Sequence, residues 1–156
     1  MAAASTTTTE KLKTPEVKQY SIFLHNRVGA LMEIVKLLGE HSVLVLALSI
    51  VESSETAIAR VIVSDPERVE LLFNEHEIAF NVCEVLVIEL REGANDLVKV
   101  LAALLKAEVN IHFSYPLLVR PRGRAVLAIL PDDVECATSV LQGDGFRLLA
   151  QGDLSR

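Results

Sequence analysis

The chain has 156 residues, 51% of them apolar, with a formal net charge of −6 and no Trp. That is enough chain for one ordinary domain or two small ones built on an aliphatic core. An acidic chain without a Lys/Arg cluster lacks the basic face that phosphate neutralisation requires, and no apolar run reaches the roughly 18 residues that span a bilayer, so neither nucleic acid nor membrane is an expected partner.

The first residues, MAAASTTTT, carry neither the charged nor the apolar region of a secretory signal. Residues 1–16 are expected to form a flexible tail of a cytoplasmic protein. Residues 17–25 read as a strand. Residues 30–41 place Leu31, Ile34, Val35, Leu37 and Leu38 on one helical face. A β-branched and leucine run over 43–52 reads as a buried strand, Ser53-Ser54-Glu55 as a hairpin break and 57–64 as the returning strand. Asp65-Pro66 has the cap-then-proline order of a helix start, and 78–83 reads as a closing strand. The second half predicts a strand over 84–91, a helix over 96–106, a strand over 109–119, a turn at 120–123, a strand over 124–130, a helix over 132–141 and a strand over 146–151. Gly143 and Gly145 end that last helix.

The halves match each other when the chain is slid by 66 positions. Ile22 and Leu24 fall on Ile88 and Leu90; Leu31, Ile34 and Leu38 fall on Leu97, Val100 and Leu104. Val43 and Val45 fall on Val109 and Ile111, and Val61 and Val63 on Leu127 and Ile129. The expected fold is therefore α+β: two tandem ferredoxin-like βαββαβ modules, residues 17–83 and 84–152, each an antiparallel sheet with helices on one face. The bare sheet faces need covers. The modules are expected to join edge to edge or through their helices, and the chain to form at least a homodimer.

No catalytic constellation appears. Cys83 and Cys136 have no partner motif and read as buried thiols. His41, His76 and His112 lack metal-ligand spacing, and His25 reads as a solvated strand end beside the first loop. There is no phosphate loop, dinucleotide fingerprint or serine elbow, so no cofactor or metal is expected and the chain is not expected to be an enzyme. Arg120, Arg122 and Arg124 read as a solvated hairpin tip. The first loop differs from these: unpaired amides at a helix start near Ala30 favour a carboxylate, Gly29 permits close approach, Asn26 offers donor and acceptor, and Arg27 adds positive charge. In the second loop Glu92 and Asp96 would repel an anion, and Asp96 is expected to cap its own helix.

Asn26-Arg27-Val28-Gly29-Ala30-Leu31, followed by Leu37-Leu38 and Val43-Leu44-Val45, resembles the first loop, helix and strand of the ACT domain. The family commonly has Pro where Val28 stands and Asn where Leu44 stands. The second copy keeps that Asn, in Val109-Asn110-Ile111, without the loop signature. The resemblance implies a non-catalytic regulator of amino-acid metabolism that binds an amino acid or similar small ligand between paired modules. It places Asn26, Arg27, Val28, Gly29, Ala30 and Leu31 of the first copy against Asn110 of the second. The reciprocal site, Glu92 and Asn95 with Leu44, is degenerate. With no catalytic domain in the sequence, the alternatives are a regulatory subunit of a biosynthetic enzyme, such as the small subunit of acetolactate synthase, and an interaction module whose site has decayed.

Overall fold

The computed structural model describes residues 14–25, 29–52 and 55–155. The expected tail before residue 14 and the Ser53-Ser54 part of the expected hairpin lie outside these. In chain order the elements are β1 (Val17–His25), α1 (Ala30–Glu40), β2 (Val45–Glu52), β3 (Thr56–Val63), α2 (Pro66–Glu75), β4 (Phe80–Leu90), α3 (Ala94–Lys106) and β5 (Ile111–Pro116). A short 3-10 turn (Pro121–Gly123), β6 (Ala125–Pro131), α4 (Val134–Gly143), β7 (Leu148–Leu149) and α5 (Gln151–Leu154) follow. This is βαββαβ twice, with antiparallel pairing throughout.

The helix boundaries follow local chemistry. The Asp65 carboxylate accepts from the Arg68 amide at 3.2 Å, with Pro66 in the first turn of α2. Asp133, not Asp132, caps α4 by accepting from the Cys136 amide at 2.9 Å, so the helix starts later than the sequence suggests. His41 and His76 end α1 and α2, each with Nδ1 beside the carbonyl four residues back, at 2.9 and 3.0 Å.

Two expected strands, 78–83 and 84–91, are one. The first half of β4 pairs with β1, from Val17↔Val85 to Ile22↔Phe80. Its second half pairs with β6 on one side and β7 on the other. The sheet therefore runs β2-β3-β1-β4-β6-β5, with β7 branching from β4, and the 83/84 boundary falls inside a strand. The far edges then approach each other: the Leu118 amide, just past β5, donates to the Leu46 carbonyl of β2 at 2.7 Å. The modules join neither edge to edge as separate sheets nor through their helices. They share a strand, and the sheet curls so that its two halves face each other.

Strand alternation sorts the apolar residues accordingly. Tyr20, Ile22 and Leu24 of β1 pack under α1 and α2 with Ile34, Leu38, Val69 and Phe73. Leu86, Ile88 and Leu90 of β4 pack under α3 and α4 with Val100, Leu104 and Leu141. Between the sheet halves lies a third core with no residue from those four helices: Val17, Ala47, Ile62, Val85, Val87, Tyr115, Val126, Ala128 and Leu149. Each module thus covers the other's bare face. Leu154 of α5 closes this core, and the Gln151 amide group donates to the Val63 carbonyl at 2.9 Å.

One polar chain crosses the central core. The Tyr115 hydroxyl donates to Gln19 Oε1 at 2.5 Å, and Gln19 Nε2 reaches Cys83 Sγ at 3.2 Å. Gln19 is fully buried, and burial pushes the Tyr115 hydroxyl far above the usual tyrosine range, so it stays a donor. Tyr115→Phe leaves Gln19 Oε1 without its donor in an apolar core, which costs roughly 1–3 kcal/mol. Denaturant unfolding should show that loss as a lowered midpoint with unchanged slope. A second test concerns pH. The Tyr20 hydroxyl, then Lys18, hold the Glu70 carboxyl below its ordinary value. A depressed carboxyl stabilises above its unfolded pKa, and the contribution disappears as pH falls through the folded value. The stability gap between the wild type and Glu70→Gln should therefore narrow on acidification, read from unfolding midpoints at neutral and acid pH.

Candidate functional site

The first helix of module one opens beside a groove. Gly29 is its N-cap with φ of 88°, a conformation that a side chain disfavours, and it offers no side-chain oxygen to the helix start. The first helical hydrogen bond runs from the Glu33 amide to the Gly29 carbonyl at 3.0 Å. A cavity of about 610 Å³ lies between α1, the end of β1 and the α2–β4 turn. Phe23, Leu24, Ala30, Ile34, Leu37, Ile78 and Ala79 are its apolar residues, and His25, Glu33, Lys36, Glu40, His76 and Glu77 its polar ones. A second cavity of about 370 Å³ lies on the other side of the helix start, lined by Gly29, Ala30, Leu31, Met32, Ile50 and Ala57. Leu24, His25 and Ala30 line both. Asn26, Arg27 and Val28 lie outside the described residues.

Module two has the equivalent groove, built differently. The equivalence shows in the backbone: Phe23 N donates to Ala79 O at 3.2 Å, as Glu89 N does to Arg147 O at 2.9 Å. Here the cavity is only about 170 Å³ and is lined by Glu89, Arg91, Glu92, Asp96, Lys99, Asp144 and Arg147 with Gly145 and Phe146. The two first helices end in register, at Glu40 and Lys106, but α3 begins two residues early relative to the repeat. The amides of Asn95 and Asp96 are taken by the carbonyls of Glu92 and Gly93, at 3.4 and 3.1 Å. Asp96, expected to cap its own helix, reaches back instead and accepts from the Glu92 amide at 3.0 Å. The Lys99 ammonium stands 3.3 Å from Glu92 and 3.6 Å from Asp96, and the hydrogen bond to Glu92, foremost, raises its pKa.

Asn110 does not line the cavities at Gly29, Ala30 and Leu31. Its Nδ2 donates to Asp132 Oδ2 and its amide to Asp132 Oδ1, both at 3.1 Å, while the Asp132 amide returns a bond to the Asn110 carbonyl at 3.0 Å. The expected buried thiols are half-buried, and burial raises the pKa of Cys83. Among the described residues no group of His, Cys, Asp and Glu is arranged to hold a metal ion, and no helix is long and apolar enough to cross a membrane.

The arginine reading needs one correction. Arg124 is exposed, as expected, but not free: its guanidinium donates to Glu89 Oε1 at 2.7 Å. Glu89 is 1% exposed, and Arg91 adds a longer contact at 3.6 Å. A lone charge inside the apolar run Val85–Leu90 was the one sequence signal for this pair. Arg124→Ala strands a buried carboxylate with Arg91 alone. It should cost about 3 kcal/mol, the low end for breaking a buried pair because Arg124 is itself partly exposed. Equilibrium denaturation measures that loss, and Arg124→Lys should recover part of it.

A family model described as an ACT domain pair matches residues 15–156. Among solved structures, protein BT0572 from Bacteroides thetaiotaomicron is similar at 31% identity with a TM-score of 0.81, over 90% of this chain and 96% of that one. The regulatory subunit of aspartate kinase from Thermus thermophilus, in its ligand-free form, is similar in fold at 13% identity and a TM-score of 0.55, over 85% and 94% of the two chains. The regulatory subunit of aspartate kinase from Thermus flavus is similar at 12% identity and a TM-score of 0.52, over 83% and 92%. No curated protein matches the chain.

Proposed function

The chain belongs to the ACT domain pair family, and on that premise we propose that it is a non-catalytic regulator that binds a free amino acid at the first loop of its first module. The observation that carries this reading is the difference between two equivalent helix starts. In module two the groove is small and filled by paired charges, with acidic side chains at the helix start. Both helix starts have a glycine N-cap, Gly29 and Gly93, and an acidic residue in the first turn, Glu33 and Asp96; in module one the start of α1 lies between two larger cavities. A ligand carboxylate is favoured at such a helix start, and the groove beside it has the volume and apolar lining of a small-molecule site.

The proposed binding set is Asn26, Arg27, Val28, Gly29, Ala30 and Leu31, with Asn110 as the counterpart from module two. The family, and the fold shared with aspartate kinase regulatory subunits, support a role in controlling an enzyme of amino-acid metabolism. Two free thiols outside any disulfide support a reducing cytoplasm. Self-association as a homodimer completes the proposal.

A thermal-shift screen with the common amino acids tests it. One of them should raise the unfolding midpoint, by the equivalent of about 2.7 kcal/mol at a hundredfold excess over Kd. Calorimetry should then give one site per chain. Gly29→Val should weaken binding, through strain at positive φ and a blocked backbone approach, and Asn95→Ala should leave it unchanged. Asn110→Leu and Asp132→Ala separate two roles for Asn110. Loss of affinity only in Asn110→Leu marks a ligand contact; equal behaviour of the two variants marks a structural pair. Two equal sites per chain, or no stabilising amino acid, overturns the reading.

A further inference from the structure

Helix α3 is apolar on the side it turns away from the protein. Its core side is ordinary, with Val100, Ala103 and Leu104 buried. At 100° per residue the opposite side carries Ala94, Val98, Leu101, Ala102 and Leu105. Val98 is 73% exposed, Leu101 45% and Leu105 77%, and the two alanines are exposed as well. The repeat supplies an internal control. At the equivalent positions α1 keeps the exposed Met32 and Val35 where α3 has Val98 and Leu101, but breaks the stripe with Lys36 where α3 has Ala102 and Gly39 where it has Leu105. Lys36 and Glu40 pair across solvent at 4.0 Å, as an outward helical face ordinarily does. A helix apolar on both sides is a buried helix, so α3 lacks a partner in the single chain.

We propose that this face is the two-fold seam of a homodimer in which the α3 helices of two copies pack antiparallel; the proposal rests on the self-association put forward above and names its surface. The stripe is self-complementary. A two-fold axis between Leu101 and Ala102 sets Val98 against the second copy's Leu105, and Leu101 against the second copy's Ala102, large against small. Antiparallel packing brings Lys106, at the C-terminal end of one helix, towards the exposed Glu92 just before the second copy's helix, and opposes the two helix dipoles. The exposed side chains make a patch on the order of a few hundred Å², the size of the largest apolar patch on a typical monomer, which is often functional. That is about half of the ~800 Å² per partner that a specific interface buries, which leaves Leu97, Asn95 and Lys99 to form the rim. The groove of module one lies on a different helix and stays open.

Light scattering on the full chain, up to high micromolar concentration, tests this. The wild type should give the mass of a dimer. Leu105→Glu and Val98→Glu should give monomers with unchanged circular dichroism and cooperative unfolding, since both side chains are exposed. Ala102→Cys, near the axis, should cross-link between chains with a short bifunctional thiol reagent well beyond the wild-type background. A monomeric wild type overturns self-association and the seam together. A dimeric wild type whose Leu105→Glu variant is still a dimer overturns this seam alone, as does failure of Ala102→Cys to cross-link.

Discussion

Strand β4 has no solvent face over its second half, and most of the architecture follows from that. Six consecutive residues, Val85 to Leu90, are buried. Val85 and Val87 point into the core between the sheet halves, while Leu86, Ile88 and Leu90 point under α3 and α4. A slip of one residue would exchange these sets and drive Glu89 under the helices, so the strand fixes register for both modules at once. Each module is too small to hide enough surface alone, and its sheet has a face that its own helices do not reach. Sharing a strand brings the two bare faces together within one curled sheet, and the same contact satisfies both.

Within that frame the halves diverge where the shared core makes no demand, at the loops after their first strands and on the outward sides of their first helices. In module one α1 begins at Ala30. In module two α3 has grown by two residues at its start, and the loop is drawn into the helix. Glu89 occupies the place of Phe23 in the repeat. Phe23 is 42% exposed at the open end of β1, whereas Glu89 is covered because the β5–β6 connection brings Arg124 over it. The same groove is therefore open in one copy and packed with ion pairs in the other.

Periodicity made most elements legible, because alternation and helical spacing report which side of an element is buried. It set β1 at 17–25 and α3's end at 106, and the 66-residue shift exposed the duplication before any contact was known. What it missed depends on distance. Phe80 to Leu90 reads as two strands because each half has its own pairing partners, and only the tertiary curl makes them one element. The strand expected over 146–151 shrinks to Leu148–Leu149 because the chain turns into α5 to set Leu154 into the central core. The ion pair of Arg124 is not legible because its partner lies 35 positions away. At the site, the glycine and the apolar groove could be read from the helix start. The engagement of Asn110 with Asp132 could not, since nothing local to Val109-Asn110-Ile111 announces a bond to a residue 22 positions on.

A regulator must bind its ligand unequally in two states, so the proposed site needs a mechanical link to the rest of the chain. β1 is that link. Its last residue, His25, lines both cavities beside the helix start. Six residues earlier on the same strand, Gln19 is fixed in the central core by Tyr115 of β5 and by Cys83 of β4. A buried side chain with a short hydrogen bond cannot follow a shift of its strand without losing that bond, and a close-packed core resolves such a conflict by discrete rearrangement rather than gradual strain. The elements that would register a change at the first loop are therefore β4, which the modules share, and β5 of the second module. β4 leads directly into α3, whose outward face is the proposed seam. The two modules thus divide the work along one strand path: the first keeps an open groove at the start of its helix, and the second, with its groove filled by ion pairs, turns the apolar side of its helix outward.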